Sequence, residues 1–283
     1  METLLVVLTF VPLIFILWLA NLGEEGRIRA IVAYLLVALF YGSLIGFGVI
    51  IQAIGAAATG PLAESLGETY TEMGIDPQAF ARMGLGLWLP SLFGILFLLP
   101  PVRRLAGRIL PAFRPDSPVH AVALSYTALV VANLLFTVGM GIGNIANMMQ
   151  QAGPTDLTPS LWAQEIVMAF MALVGVGWLA RRSLADGLHR LAIVKPSLRQ
   201  ALAGAGIGVG LAALIVILEA LLGKVGIVTD ADVQKLSEQL LGPLVEGPFG
   251  IITLGLAAAL GEETIFRGAL QPRFGLIFTT LLF

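Results

Sequence analysis

Glu262 and Glu263 stand side by side in the apolar C-terminal third of a 283-residue chain. The residues from Gly247 to Leu260 carry no charge, and another apolar stretch runs from Phe274 to the end. Carboxylates are costly in a bilayer, so a pair kept in such surroundings marks a candidate functional site. Arg267 follows Glu263 by one helical turn, where the two side chains meet. On a helix Glu262 and Glu263 point about 100° apart, which offsets Glu262 toward Phe266. This spacing suits a division of labour. One carboxylate keeps its charge by pairing with Arg267. The other, less well paired and in a low dielectric, is expected to hold its proton more tightly than usual. A carboxylate so poised takes a proton from water and later returns it to a leaving amine, which is the proton traffic of peptide-bond hydrolysis. The plain alternative is a helix-end ion pair that only anchors a span among lipid headgroups.

The elements that must carry this pair are membrane helices. The chain is 58% hydrophobic and 12% charged, against about 25% charged in soluble domains, and its mean hydropathy is +0.93. The apolar stretches are continuous, whereas β-barrel strands alternate apolar and polar residues. The predicted fold class is all-α: a polytopic helical membrane bundle with seven full spans and a truncated eighth. The seven fall near 3–20, 29–52, 84–101, 120–143, 162–180, 200–222 and 248–265, and the eighth begins near 275. The pairs Gly42/Gly46, Gly139/Gly143, Gly204/Gly208 and Gly206/Gly210 are expected to permit close helix packing. There are no cysteines, which excludes disulfides and thiolate chemistry. No long basic tract appears, so nucleic acid is not an expected partner. The first apolar run has no Lys or Arg before it and reads as a retained span rather than a signal peptide.

Charge alternates between the connections. Thirteen of the sixteen Lys and Arg residues fall in one set of loops, leaving Arg82, Lys224 and Lys235 in the other. The positive-inside rule puts the thirteen in the cytoplasm. The N-terminus is then outside, and Glu262 lies near the cytoplasmic face at the end of the seventh span. Residues 56–82, with Glu64, Glu68, Glu72 and Asp76, and 223–246, with Asp230, Asp232, Glu238 and Glu246, are expected to face out. Between Thr229 and Leu241 the spacing of Val233, Leu236, Leu240 and Leu241 predicts a short amphipathic helix, N-capped by Asp230, along the outer interface.

The run Gly261-Glu262-Glu263-Thr264-Ile265-Phe266-Arg267-Gly268-Ala269-Leu270-Gln271-Pro272-Arg273 closely resembles the first motif of the CPBP family, the type II CAAX prenyl endopeptidases and their bacteriocin-processing and immunity relatives. The family pattern is two glutamates, three residues and an arginine, usually within Phe-Arg-Gly. The resemblance implies an all-helical membrane bundle that hydrolyses peptide bonds in or beside the membrane, with lipid bilayer and a peptide, prenylated or other membrane-associated protein as partners. By carry-over Glu262 activates the attacking water, and Glu263 and Arg267 hold and tune it. The family is often labelled metalloprotease, and a metal-free glutamate mechanism is also argued for it. The cofactor, a divalent metal such as zinc or none, therefore stays open. The expected location is an integral membrane protein of the bacterial inner membrane. Residues 1–200 read as spans of unassigned role and 201–283 as the start of the protease core.

The family's second motif, Phe-x-x-x-His, would begin at Phe283 with its histidine four residues later, and the third, His-x-x-x-Asn or Asp, would come further on. The residues after Gly275 make only about 13 Å of helix against a core of about 30 Å, so the chain is expected to be part of a longer protein. Of the two histidines, His120 sits at the start of the fourth span and His189 in a basic connection; neither has ligand spacing. Glu165 and Glu219, placed near the outer ends of the fifth and sixth spans, allow a transport reading, but no inverted repeat supports it. Asn133, Asn144 and Asn147 line a polar cavity or bond between helices. Trp18, Trp88, Trp162 and Trp178 read as interface anchors. The main alternative to an endopeptidase is a non-catalytic binding or immunity protein of the same ancestry. Lacking both family histidines, the 283-residue product is expected to be inactive in a peptide-cleavage assay run beside its Glu262→Ala variant. Turnover that depends on Glu262 would overturn this.

Overall fold

The computed structural model describes residues 2–58, 60, 76–110, 112–152, 158–224, 231–245 and 248–283. The expectations for Glu64, Glu68, Glu72, Thr229, Asp230, Glu246 and the side chains of Asp232, Leu240 and Leu241 fall outside what is described. Among the described residues the chain is helical, with one isolated bridge between Trp178 and Arg182. The elements are α1 (Glu2–Gly23), α2 (Arg27–Ala58), α3 (Pro77–Leu96), α4 (Pro100–Ile109), α5 (Pro118–Met140), α6 (Ile142–Ala152) and α7 (Thr158–Gly175). They continue with α8 (Leu184–Arg190), α9 (Leu198–Lys224), α10 (Ala231–Val245), α11 (Pro248–Ala258), a π-helix (Ala259–Leu270), α12 (Gln271–Phe274) and α13 (Leu276–Leu282).

Local chemistry sets the ends of these helices. Asp76 caps α3 by accepting from the Gln78 N–H, and Ser117 caps α5 by accepting from the His120 N–H; a proline opens each helix. The predicted third span ran to 101. The helix stops at Leu96 because Pro100 and Pro101 cannot continue it and open α4 instead. The predicted fourth span ended at 143, but Gly141, at φ +85°, turns the chain after Met140. The predicted fifth ended at 180, but positive φ at Gly177 and Leu179 ends it earlier.

Among the described residues five helices are long and apolar enough to cross a membrane: Thr3–Gly23, Arg27–Ala58, Pro77–Leu96, Pro118–Met140 and Leu198–Leu222. The expected fifth span is the 18-residue α7, which carries Gln164 and Glu165, and the expected seventh is divided between α11 and the π-helix. Length and apolarity alone therefore qualify five segments rather than seven.

Two groups of helices pack together. On one side α2 crosses α3, and α3 crosses α5; on the other α1 packs on α7, and α7 on the π-helix, with α1 also meeting α2. Ile16, Leu17, Val37, Tyr41, Val122 and Val174 join the two groups in the main core. The expected interface helix is α10, which lies against α6. Of the predicted glycine pairs, Gly139 meets the Arg82–Met83 backbone, but Gly42, Gly46, Gly204, Gly206, Gly208 and Gly210 have open space where a Cβ would be. The close crossings fall elsewhere. Gly48 and Gly84 bring α2 against α3, and Gly86 lies on the Leu135–Phe136 backbone of α5. Two of the tryptophans bond within the fold: Trp18 Nε1 donates to the Leu179 carbonyl and Trp88 Nε1 to Gln52 Oε1.

One node joins three of these helices. The Tyr41 hydroxyl of α2 donates to the Ser125 carbonyl of α5, and Ser125 Oγ donates to the Gly94 carbonyl of α3. A Cβ on Gly94 would overlap the Tyr41 ring, which is fully buried. Gly94→Ala is therefore expected to cost about 1–3 kcal/mol by overpacking, and Tyr41→Phe about 1 kcal/mol by losing one hydrogen bond. Thermal unfolding midpoints in detergent measure both.

Candidate functional site

Residues 248 to 274 form one continuous helical run whose hydrogen-bonding pattern changes along its length. It starts as α11, becomes the π-helix at Ala259 and ends as α12, where the Gln271 N–H bonds back five residues to the Phe266 carbonyl. Wide turns of this kind are rare and collect at functional sites. The run breaks at Gly275, which sits at φ +85°. The seventh span was expected to stop at 265, with the glutamates at its end. In the structure nine more residues follow before the break, so the pair lies inside the run.

Glu263 and Arg267 share a face as expected: Arg267 Nε lies 2.6 Å from Glu263 Oε2. The Arg267 side chain is 75% exposed, so the pair points away from the bundle. Glu262 turns the other way and lines a cavity of about 740 Å³ between the two groups of helices. The same run lines it with Ile265, Phe266, Ala269, Leu270 and Arg273. The opposite walls come from α1, α2, α5 and α7, with Leu87 of α3. Asn133, which sequence reading weighed as a cavity residue, is among them. Most of the wall therefore belongs to the first 175 residues, to which the sequence assigned no role.

The side of the cavity at α7 holds a second acid. Glu165 is buried, at 2% exposure, and its Oε2 has no hydrogen-bond partner. Its Oε1 lies 3.5 Å from Gln164 Nε2, and Gln164 lines the cavity beside Glu262. Glu165 rests on Gly261, where a Cβ would overlap Oε2 and lie 2.9 Å from both the Glu165 Cα and carbonyl oxygen. Sequence reading set Glu165 and Glu262 at opposite ends of their spans. The structure puts them in adjacent turns, because the run continues past 265 and α7 lies along it. Ten residues of α7, about 15 Å, separate Glu165 from Gly175, so the acids lie well inside the bundle.

Arg273 closes the end of the cavity near Gly175. It is buried, donating from Nη1 to the Ala269 carbonyl at 2.6 Å and from Nη2 to the Gly175 carbonyl at 2.9 Å. Asn21 of α1 caps the same helix end, its Nδ2 donating to the Leu17, Val174 and Gly175 carbonyls. Gly268 seats Leu191, whose carbonyl would lie 3.0 Å from a Cβ there. The sequence signal for Arg273 was a basic residue inside the motif, but the spacing did not reveal that it is buried.

Neither histidine lines the cavity. His120 Nδ1 accepts from the Arg114 N–H, and its ring packs against Phe113. Among the described residues no three His, Cys, Asp or Glu side chains are grouped to hold a metal ion, whereas a catalytic zinc takes three protein ligands. Glu263 is engaged by Arg267, leaving Glu262 and Glu165 as the nearby acids. These two described acids alone do not make up the three protein ligands of a catalytic zinc. Comparisons with protein-family models, curated proteins and solved structures give no match.

The fit of Glu165 on Gly261 has a measurable consequence. Gly261→Ala is expected to cost about 1–3 kcal/mol by overpacking. Adding Glu165→Ala is expected to recover only part of that, because the backbone of Glu165 still meets the new methyl group. Thermal melts of the two single variants and the double variant measure the coupling.

Proposed function

We propose that this chain carries the water-activating glutamate of an intramembrane endopeptidase, Glu262, for hydrolysis of peptide bonds of membrane-associated peptides or proteins. The observation that carries the reading is the placement of Glu262: its side chain faces a large, mostly apolar cavity inside the bundle, while Glu263 and Arg267 pair on the outer face. A carboxylate in such a place is positioned to take a proton from a bound water. The thirteen-residue resemblance to the CPBP first motif supports the same chemistry. In the reaction Glu262 takes a proton from water as the oxygen adds to the scissile carbonyl carbon. The proton then passes to the amide nitrogen, the C–N bond breaks, and a carboxylic acid and an amine leave. Glu263 is held by Arg267, which positions the turn that carries Glu262.

Several helices are long and apolar enough to cross a membrane. Counting α7 and the run 248–274 with them gives seven crossings. With the basic loops in the cytoplasm, the N-terminus lies outside, and the setting is the bacterial inner membrane.

The test is cleavage of membrane-anchored peptides by the protein expressed from its complete reading frame in proteoliposomes. Glu262→Gln is expected to lower turnover by about a hundredfold or more, the scale of general-base catalysis, with a smaller loss for Arg267→Ala. Unchanged turnover in Glu262→Gln would sink the reading. A cellular phenotype that survives Gln at both 262 and 263 would favour a binding or immunity role instead.

A further inference from the structure

The cavity is long, and its two ends differ. Along α5 it is lined from Val119 through Ala123, Tyr126, Val130 and Asn133 to Phe136, which is about 25 Å of helix. Its lining residues follow α5 from end to end, so the cavity is drawn out along that helix. Its walls are mainly hydrocarbon and aromatic.

One end holds a buried cation, Arg273, that no carboxylate among the described residues contacts directly. Arg273 has five N–H donors, of which Ala269 and Gly175 carbonyls take two. Arg181, Arg182 and Arg190 add positive potential at Arg273, and Glu24 offsets part of it. Glu24 is itself engaged, accepting from the Ser117 hydroxyl and the Val119 N–H. A buried charge normally carries a partner, and guanidinium suits carboxylate and phosphate.

We infer that the channel binds a single-chain anionic amphiphile, with a phosphate or carboxylate headgroup at Arg273 and its hydrocarbon chain lying along α5 toward Phe136. The inference stands whether or not Glu262 is catalytic: it rests on the shape of the channel and on the buried Arg273. The headgroup adds negative charge at Arg273, and the chain fills the apolar volume. Glu262 and Gln164 flank the chain and do not touch the headgroup.

The test is equilibrium binding of labelled hexadecyl phosphate to the full chain in phosphatidylcholine nanodiscs, with empty discs subtracted. Saturable binding is expected, displaced by unlabelled hexadecyl phosphate but not by millimolar inorganic phosphate or by hexadecyltrimethylammonium. Arg273→Gln is expected to weaken it about tenfold or more, the scale of a charged hydrogen bond. Val130→Trp, which narrows the channel without touching Arg273 or its carbonyl partners, is expected to weaken it comparably and remains informative if Arg273→Gln does not fold. The inference is overturned if inorganic phosphate displaces the label, which would mark a free-anion site. Equal competition by the ammonium amphiphile overturns it too, as simple partitioning, and so does wild-type affinity in Val130→Trp. No saturable binding of hexadecyl phosphate, with saturable binding of an apolar peptide in its place, overturns the inference and assigns the channel to peptide.

Discussion

The bond from Arg273 to the last carbonyl of α7 ties the C-terminal run to the rest of the bundle. That carbonyl would otherwise be an unsatisfied helix end, and Asn21 reaches it from α1 at the same time. One helix terminus therefore gathers three segments that are remote in sequence. About 15 Å along α7 from that bond, Glu165 lies over Gly261, which has no side chain to displace it. These two contacts set how the run lies along α7, and so set which way Glu262 faces and how deep it sits. Because they involve a buried guanidinium and a buried carboxyl, sliding the run by one turn would strand both.

The opposite wall is built on different physics. There α2, α3 and α5 approach so closely that backbone meets backbone at Gly48, Gly84 and Gly86, and the Tyr41–Ser125–Gly94 bonds close the group. Close van der Waals contact and buried hydrogen bonds supply the adhesion there. The two tightly held groups meet through the core around Leu17, Val37 and Val174. Side by side they leave a channel that neither fills. Its lining is apolar except where Glu262, Gln164, Asn133 and Arg273 enter, and these few polar groups in a greasy wall give a binding site its orientation.

Much of the fold was legible because membrane helices advertise themselves. Their continuous apolar stretches are long, and the charged connections mark where they stop, so the helical class and most of the segments were readable. The errors were at ends and partners. Gly141, Gly177 and Pro100 ended helices earlier than hydropathy did, since backbone geometry, not apolarity, stops a helix. Glycine spacing pointed to Gly42/Gly46 and to Gly204–Gly210, but the close approaches use Gly48, Gly84 and Gly94. A small residue permits contact without saying which helix will come to meet it.

The sequence by itself determined that two acids and an arginine share adjacent turns of one apolar helix, and from that spacing alone that Glu263 would meet Arg267, because a local pair needs only helical periodicity. Only the tertiary structure decided what Glu262 faces, that Glu165 is its neighbour, and that Arg273 is buried at the end of α7 and not free in solvent. Each of those depends on contacts between residues roughly a hundred positions apart. Such contacts follow from how α7, α5 and the C-terminal run pack together, and no local pattern of residue types encodes that packing.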